Sequence, residues 1–282
     1  MRISVIIPAC DAQATLARAI HALRAQTHAD WEAWIVADDL FDYETFLLGA
    51  MGREPRLRFA STGRVRSGCH AARNVAFPLV EGDFVTQLDA DDEMTPTRFA
   101  ALLPLANERG AAADNLAIVD DATGETMSRP MEPFVAVKTL DMAAFMKLNA
   151  PLVPLIKREF ANPRALGVEL SEDVIANIQL IDQIGALPVT GEASYIYRVR
   201  AGSIAHSDDS AARFDAAYSA YIERLENGDG FGVSARGRPA ALAGLKAKRA
   251  LNRAFAAAAA KDPTLNFQAF AAASLAKGEG SP

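Results

Sequence analysis

Cysteine is nearly missing from this chain, with two in 282 residues, Cys10 and Cys69, in unrelated contexts. That scarcity excludes a disulfide framework and a cysteine-rich structural zinc site, and it fits a reducing setting. No uninterrupted apolar run reaches the roughly 18 residues that a membrane-spanning helix needs. The opening stretch Met1-Arg2-Ile3-Ser4-Val5-Ile6-Ile7-Pro8 is too short an apolar run for a signal peptide, so no leader is expected. Positive charge is not in excess either. The formal net charge is −6, which argues against a dedicated nucleic-acid binder with its basic face. Internal repeats are also absent. What remains is an ordinary soluble composition, half apolar and 23% charged, long enough for one large α/β domain with an appendage or for two small domains. The expected location is cytoplasmic, or peripheral at the inner face of a membrane.

The densest chemistry lies in Val85-Thr86-Gln87-Leu88-Asp89-Ala90-Asp91-Asp92, where a short apolar strand ends in three carboxylates over four positions. Anions packed this tightly repel one another unless a cation joins them. Carboxylate oxygens are hard ligands and no thiolate or imidazole is near, so Asp89, Asp91 and Asp92 point to Mg²⁺ or Mn²⁺ rather than zinc. The plainer reading is a strand-to-helix turn, with Asp92 or Thr95 capping a helix that begins near Pro96.

Apolar strand patterns at residues 3–9, 31–37, 57–59 and 83–88 alternate with helical patterns at 14–26, 43–51 and 69–79. This alternation predicts an α/β fold with a mostly parallel central sheet flanked by helices. Cys10-Asp11, Asp38-Asp39 and Asp89 to Asp92 all fall just past strand ends, where open α/β sheets hold their ligands. Beyond residue 110 the pattern is less regular. Strands are expected at 115–119, 132–138, 152–157 and 194–199, and helices at 140–148 and 171–184. From about 209 the chain reads as helical and rich in alanine. The predicted division is therefore 1–208 and a helical C-terminal appendage, 209–282.

Over the first 205 residues or so the chain carries, in order, Ser4-Val5-Ile6-Ile7-Pro8-Ala9-Cys10-Asp11, Gln26-Thr27, Trp31-Glu32, Ile35-Val36-Ala37-Asp38-Asp39, Gly68-Cys69-His70-Ala71-Ala72-Arg73-Asn74, Gly82-Asp83-Phe84-Val85, Leu88-Asp89-Ala90-Asp91-Asp92, Ser171-Glu172-Asp173 and Tyr197-Arg198-Val199-Arg200-Ala201-Gly202-Ser203. This ordered series resembles the inverting family 2 glycosyltransferases of the GT-A fold. It departs at Ala37-Asp38-Asp39-Leu40-Phe41-Asp42, where the family's usual Asp-Asp-Gly-Ser-x-Asp loses its first aspartate. A one-residue shift instead makes Asp38-Asp39 the pair, and Asp38 stays acidic either way. Cys10 and Asp11 replace the family's common aromatic residue and asparagine.

The resemblance implies a nucleotide-sugar donor, UDP-linked, and a saccharide or lipid-linked acceptor in surface or exported polysaccharide synthesis. It implies that Pro8, Asp38, Arg73 and Asp89 bind the donor nucleotide, with Asp38 at the base edge and Asp89 at the ribose. Asp91, with Asp89 and Asp92, would support the divalent ion. Asp173 would be the general base; the competing reading is that Ser171-Glu172-Asp173 is only a helix start, with Ser171 as cap. Arg73 alternatively lies on a solvated helix face. Arg198, Arg200 and Ser203 match a loop that closes over the diphosphate, or form a solvated basic strand edge. The residues leave two rivals open: a silent sugar-nucleotide-binding or scaffolding subunit, and a nucleotidyltransferase. The latter usually has a glycine- and lysine-bearing loop that Pro8 to Gln13 lacks.

Between Ser234 and Lys261 stand Arg236, Arg238, Lys246, Lys248, Arg249, Arg253 and Lys261, with no acid among them. An interfacial helix on anionic lipid and a packed helix with a solvated basic face both fit this asymmetry.

Overall fold

The computed structural model of the protein describes residues 1–131, 137–168, 170–200 and 210–262, together with 265, 267, 270, 271 and 274. Largely apolar, buried segments form β1 (Ile3–Ala9), β2 (Trp31–Ala37) and β4 (Phe84–Gln87), and β3 (Leu57–Ser61) adds an edge. β1 pairs in parallel with both β2 and β4, and β2 with β3. The intervening helices are α1 (Leu16–Arg24), α2 (Tyr43–Met51) and α3 (Cys69–Ala76). α1 buries Leu16, Ala19, Ile20 and Leu23, the face its spacing predicts. α3 lays Ala72 and Ala76 against Ile6, Val36 and Val85, where small side chains let helix and sheet approach closely.

The second half completes one sheet in the order β3-β2-β1-β4-β9-β6-β10-β5, with β7 beside β6 and β8 beside β10. Here β5 is Glu93–Met94, β6 Ala111–Asp120, β7 Thr126–Ser128, β8 Lys138–Leu140, β9 Leu155–Lys157 and β10 Leu187–Val199. α4 (Arg98–Arg109) and α6 (Glu172–Ile184) accompany these strands. β9 enters antiparallel to both β4 and β6, whereas β6 and β10 pair in parallel over a long register. Period alone does not reveal strand direction, so the antiparallel insertion was not visible in the apolar pattern. The strand expected at 132–138 falls mostly outside the described residues, and only Lys138 lies in β8.

Two expected helix caps are corrected. α4 starts at Arg98 after Thr97, with no side-chain cap. Asp92 and Thr95 are instead claimed by β10: Asp92 accepts from Tyr195 and Arg198, and Thr95 Oγ1 accepts from the Ser194 amide at 3.0 Å. Ser171 stands at the N-cap position of α6 in the left-handed region at φ 52°, but its side chain makes no cap bond to the helix. At Asp92 and Thr95, long-range partners outcompeted the local ones.

The chain separates into two compact units, Met1–Asp141 with Pro151–Arg200, and Met142–Ala150 with Ala201–Pro282. The second contains α5 (Met142–Lys147), α7 (Ser210–Asn227) and α8 (Arg238–Ala259). α5, far away in sequence, is drawn into this unit where Gly244 of α8 leaves no space for a Cβ against Met146. Lys248 Nζ is bound by the Leu148 carbonyl at 2.6 Å. Arg249 and Arg253 both grip Asp215, Lys246 pairs with Glu226, and Arg238 donates to the Val233 carbonyl. Five of the seven basic residues of 234–261 are thus engaged within the unit itself. No helix among the described residues is long and apolar enough to cross a membrane.

Candidate functional site

The C-terminal ends of β1, β2 and β3 open into loops that carry strained backbone. Asp11, Leu40 and Arg66 all have positive φ (52°, 62° and 56°), one in each loop. Non-glycine residues seldom hold this conformation unless their surroundings impose it, and such strain gathers at sites. The imposing contacts are visible. Asp39 accepts from the Asp11 amide, the Phe41 amide and the Tyr43 hydroxyl at 2.8, 3.1 and 2.7 Å. Burial pushes the Asp39 carboxyl up, but these donors win and hold it below the usual range.

Asp38 is buried at the end of β2. One oxygen accepts from Thr62 Oγ1 and the other from the Gly68 amide, both at 2.8 Å. Its backbone carbonyl takes the Arg66 amide at 2.7 Å. Asp38 therefore ties the β3–α3 loop to the sheet edge. Gly68 sits at φ 99°, and a Cβ there would meet the His70 ring at 2.8 Å. Pro8, half-buried, pairs with Val36 one step before the β1 loop.

At the end of β4 the acidic run divides into three environments. Asp89 is gripped by Arg73, and its amide donates to Tyr195 Oη at 3.0 Å. Arg73 also contacts Glu172, whose other oxygen lies 2.6 Å from Arg164 Nε. Arg164 in turn donates to Gln87, and its backbone brackets Asn74. Burial, then the nearby Arg73 charge, lower the Arg164 guanidinium to about 10. Asp173 lines the same cavity as Arg73, Asn74, Gln87 and Arg164. That cavity is about 60 Å³, room for a water or two and not for a sugar ring.

Asp91 takes Nη2 of Arg200 at 2.5 Å, while its carbonyl accepts from Arg18 at 2.9 Å. Burial and the neighbouring Asp89 push its carboxyl above the ordinary value, against the pull of Arg200. Asp92 is buried and turned inward, accepting from Tyr195 Oη and the Arg198 amide, both at 2.8 Å. Burial, Asp89 and Asp91 raise its carboxyl well above normal. The Arg198 side chain leads away from the acidic run to Glu93 at 2.5 Å and Asp121 at 3.4 Å.

Arg73, Asp89 and Asp173, distant in sequence, are thus brought around one ion cluster, while Asp92 is spent on β10. Asp89, Asp91 and Asp92 do not gather as three ligands; among the described residues only Cys10, Asp11 and Asp39 do, and there Asp11 is bound by Arg66 at 2.5 Å. Ser203 lies outside the described residues. Glu172, Arg164 and Tyr195 were not singled out as site residues from sequence. Glu172 was legible inside Ser171-Glu172-Asp173, but Arg164, in Ala161-Asn162-Pro163-Arg164, carries no periodic signal.

A model of the family described as glycosyl transferase family 2 matches residues 4–152. The succinoglycan biosynthesis protein ExoO of Rhizobium meliloti (strain 1021) is 28% identical over 218 residues, covering 72% of this chain and 62% of the relative. The UDP-Glc:alpha-D-GlcNAc-diphosphoundecaprenol beta-1,3-glucosyltransferase WfgD of Escherichia coli is 31% identical over 90 residues, 32% of this chain and 35% of the relative. The chain therefore spans less than two thirds of either curated relative. Among solved structures, S. aureus TarS 1-349 in complex with UDP-GlcNAc superposes with a TM-score of 0.58 at 17% identity, covering 86% of this chain and 79% of the other.

Proposed function

The chain belongs to glycosyl transferase family 2 and has a GT-A fold, and on that footing we propose that it transfers a sugar from a nucleoside-diphosphate donor, UDP-linked, to a saccharide or lipid-linked saccharide acceptor with inversion, in surface or exported polysaccharide synthesis. The observation that carries this reading is the convergence of Asp89, Arg73 and Asp173 on one ion cluster past the end of β4. ExoO and WfgD, both named for saccharide assembly, support the acceptor class.

In this reading Asp38 keeps the base-binding loop in place through Thr62 and Gly68, and each of its oxygens retains a lone pair for a ring N–H of uracil. Arg73 holds Asp89 toward the ribose. Asp173, at the first turn of α6, takes the acceptor hydroxyl proton as the new bond forms. Two guanidiniums beside Glu172 set the start of that helix, so the base rides on a rigid element.

The residues fit a divalent ion. Asp91 and Asp89 present hard carboxylate oxygens two positions apart just past the end of β4. Mg²⁺ or Mn²⁺ commonly binds through one or two carboxylates plus substrate phosphates, so a third protein ligand is not required. When bound, the ion would stabilise charge on the leaving diphosphate. Asp92 serves the strand architecture instead.

Calorimetric titration of UDP, GDP, dTDP and CDP, with and without Mn²⁺, tests the donor class. The expected result is a manganese-dependent preference for UDP that weakens at least about tenfold in Asp91→Ala, the cost of one lost charge-assisted ligand. Nucleotide binding that ignores both metal and Asp91→Ala overturns the metal assignment. Donor turnover with acceptor, or donor hydrolysis, separates an enzyme from a silent subunit.

With most basic residues of 234–261 engaged internally, electrostatic attachment to membrane is expected to be weak. Each basic residue near an anionic surface contributes only about 1 kcal/mol. Flotation with phosphatidylserine-containing liposomes at physiological salt should leave the protein in the bottom fraction; salt-sensitive flotation would contradict this.

A further inference from the structure

Both carboxylates assigned to the divalent ion are occupied by arginines of this chain. Arg73 holds Asp89 and Arg200 holds Asp91. The two grips differ in kind. Arg73 is almost wholly buried and also contacts Glu172, so it is fixed from two sides. Arg200 reaches Asp91 through one nitrogen, with 41% of its side chain exposed against 31% for Asp91. Its Nε is buried and finds no hydrogen-bond partner among the described residues. A single-nitrogen pair with this exposure is weak, and a guanidinium with unused donors has more to gain elsewhere.

We infer that Arg200 is a stand-in cation. It neutralises Asp91 in the nucleotide-free protein, yields that carboxylate to the divalent ion, and turns its guanidinium to the diphosphate that arrives with it. The inference rests on the donor reading above and adds an exchange to it. Charge accounts for the pairing. Asp91 loses one positive partner and gains a divalent one, while the diphosphate brings anionic oxygens that match the freed fork of donors. The exchange makes metal and nucleotide binding depend on each other. Metal alone must displace Arg200 without giving it a new partner, whereas metal with diphosphate supplies one. By linkage, each ligand then tightens the other by the same factor.

Arg198 provides the comparison within the same segment. It carries the same charge two residues earlier, but its side chain faces Glu93 and Asp121 rather than Asp91. Removing it alters the field near the site without vacating the Asp91 carboxylate.

The experiment titrates Mn²⁺ into wild-type protein, Arg200→Ala and Arg198→Ala, followed by the free-ion spin-resonance signal, first alone and then with saturating UDP. Without nucleotide, Arg200→Ala should bind Mn²⁺ about tenfold more tightly than wild type, and Arg198→Ala within about threefold. With UDP the wild type should tighten strongly and Arg200→Ala much less, because the arginine that would meet the diphosphate is gone. An Mn²⁺ isotherm in Arg200→Ala that is unchanged or weaker without nucleotide overturns the inference, as does an equal gain in Arg198→Ala. Should the alanine variant melt early, Arg200→Gln keeps the polar stem and gives the same comparison. If UDP, GDP, dTDP and CDP all fail to bind wild type, the donor reading falls; the nucleotide-free comparison at Asp91 still decides the exchange.

Discussion

Asp114→Ala is expected to destabilise the sheet unit by about 3–5 kcal/mol, the range seen when one partner of a buried ion pair is removed. Arg98, fully buried at the first turn of α4, donates to Asp114 through Nε at 2.8 Å and Nη2 at 2.9 Å. Asp114 lies on β6, so the fork bolts helix to sheet at a point water does not reach. Without the carboxylate, the Arg98 guanidinium keeps the Val153 carbonyl and the Tyr195 ring as its partners among the described residues. For a unit of this size the loss corresponds to a fall in Tm of roughly 6–20 °C. The double change Arg98→Met with Asp114→Leu removes both charges and should recover most of that stability. A thermal melt by circular dichroism checks both variants. Equal Tm values for Asp114→Ala and wild type would show that the pair contributes nothing.

Asp173→Asn is expected to reduce sugar transfer by about 10²–10⁴-fold, the usual contribution of a positioned general base. Donor binding should change little, because the residues assigned to the nucleotide, Asp38, Arg73 and Asp89, are untouched. An amide cannot take the acceptor proton, yet it matches the carboxylate in size, so the start of α6 is preserved. Single-turnover transfer measured beside UDP titration separates the two effects. Transfer retained within a few fold would assign Asp173 to the helix start alone. A parallel collapse of UDP binding would place it in the donor site instead.

Much of the first half was legible because its elements are local. Apolar runs of 4–7 residues separated by helical spacing define β1, β2, β4, α1, α2 and α3, and the structure places them where the pattern does. The acidic ends of these strands were legible too, since a strand that runs straight into charge must leave the sheet there. The partners of those charges were not. Asp92 looked like a cap or a metal ligand, but Tyr195 and Arg198 reach it from over 100 positions away. The basic run at 234–261 looked like a free charged face until Asp215, Glu226 and the Leu148 carbonyl met it.

The sequence by itself determined the α/β class, the order of the first strands and helices, and which acidic residues stand past the C-terminal ends of the strands. Those follow from side-chain period and from the cost of burying unpaired charge, both readable one segment at a time. Only the tertiary structure decided that β9 runs antiparallel between β4 and β6, that α5 joins the helical unit, and that Arg73, Glu172 and Arg164 form one buried ion cluster beside Asp173. The reason is that a charge chooses its partner by distance in space and by exclusion of water, and neither quantity is carried by neighbours along the chain.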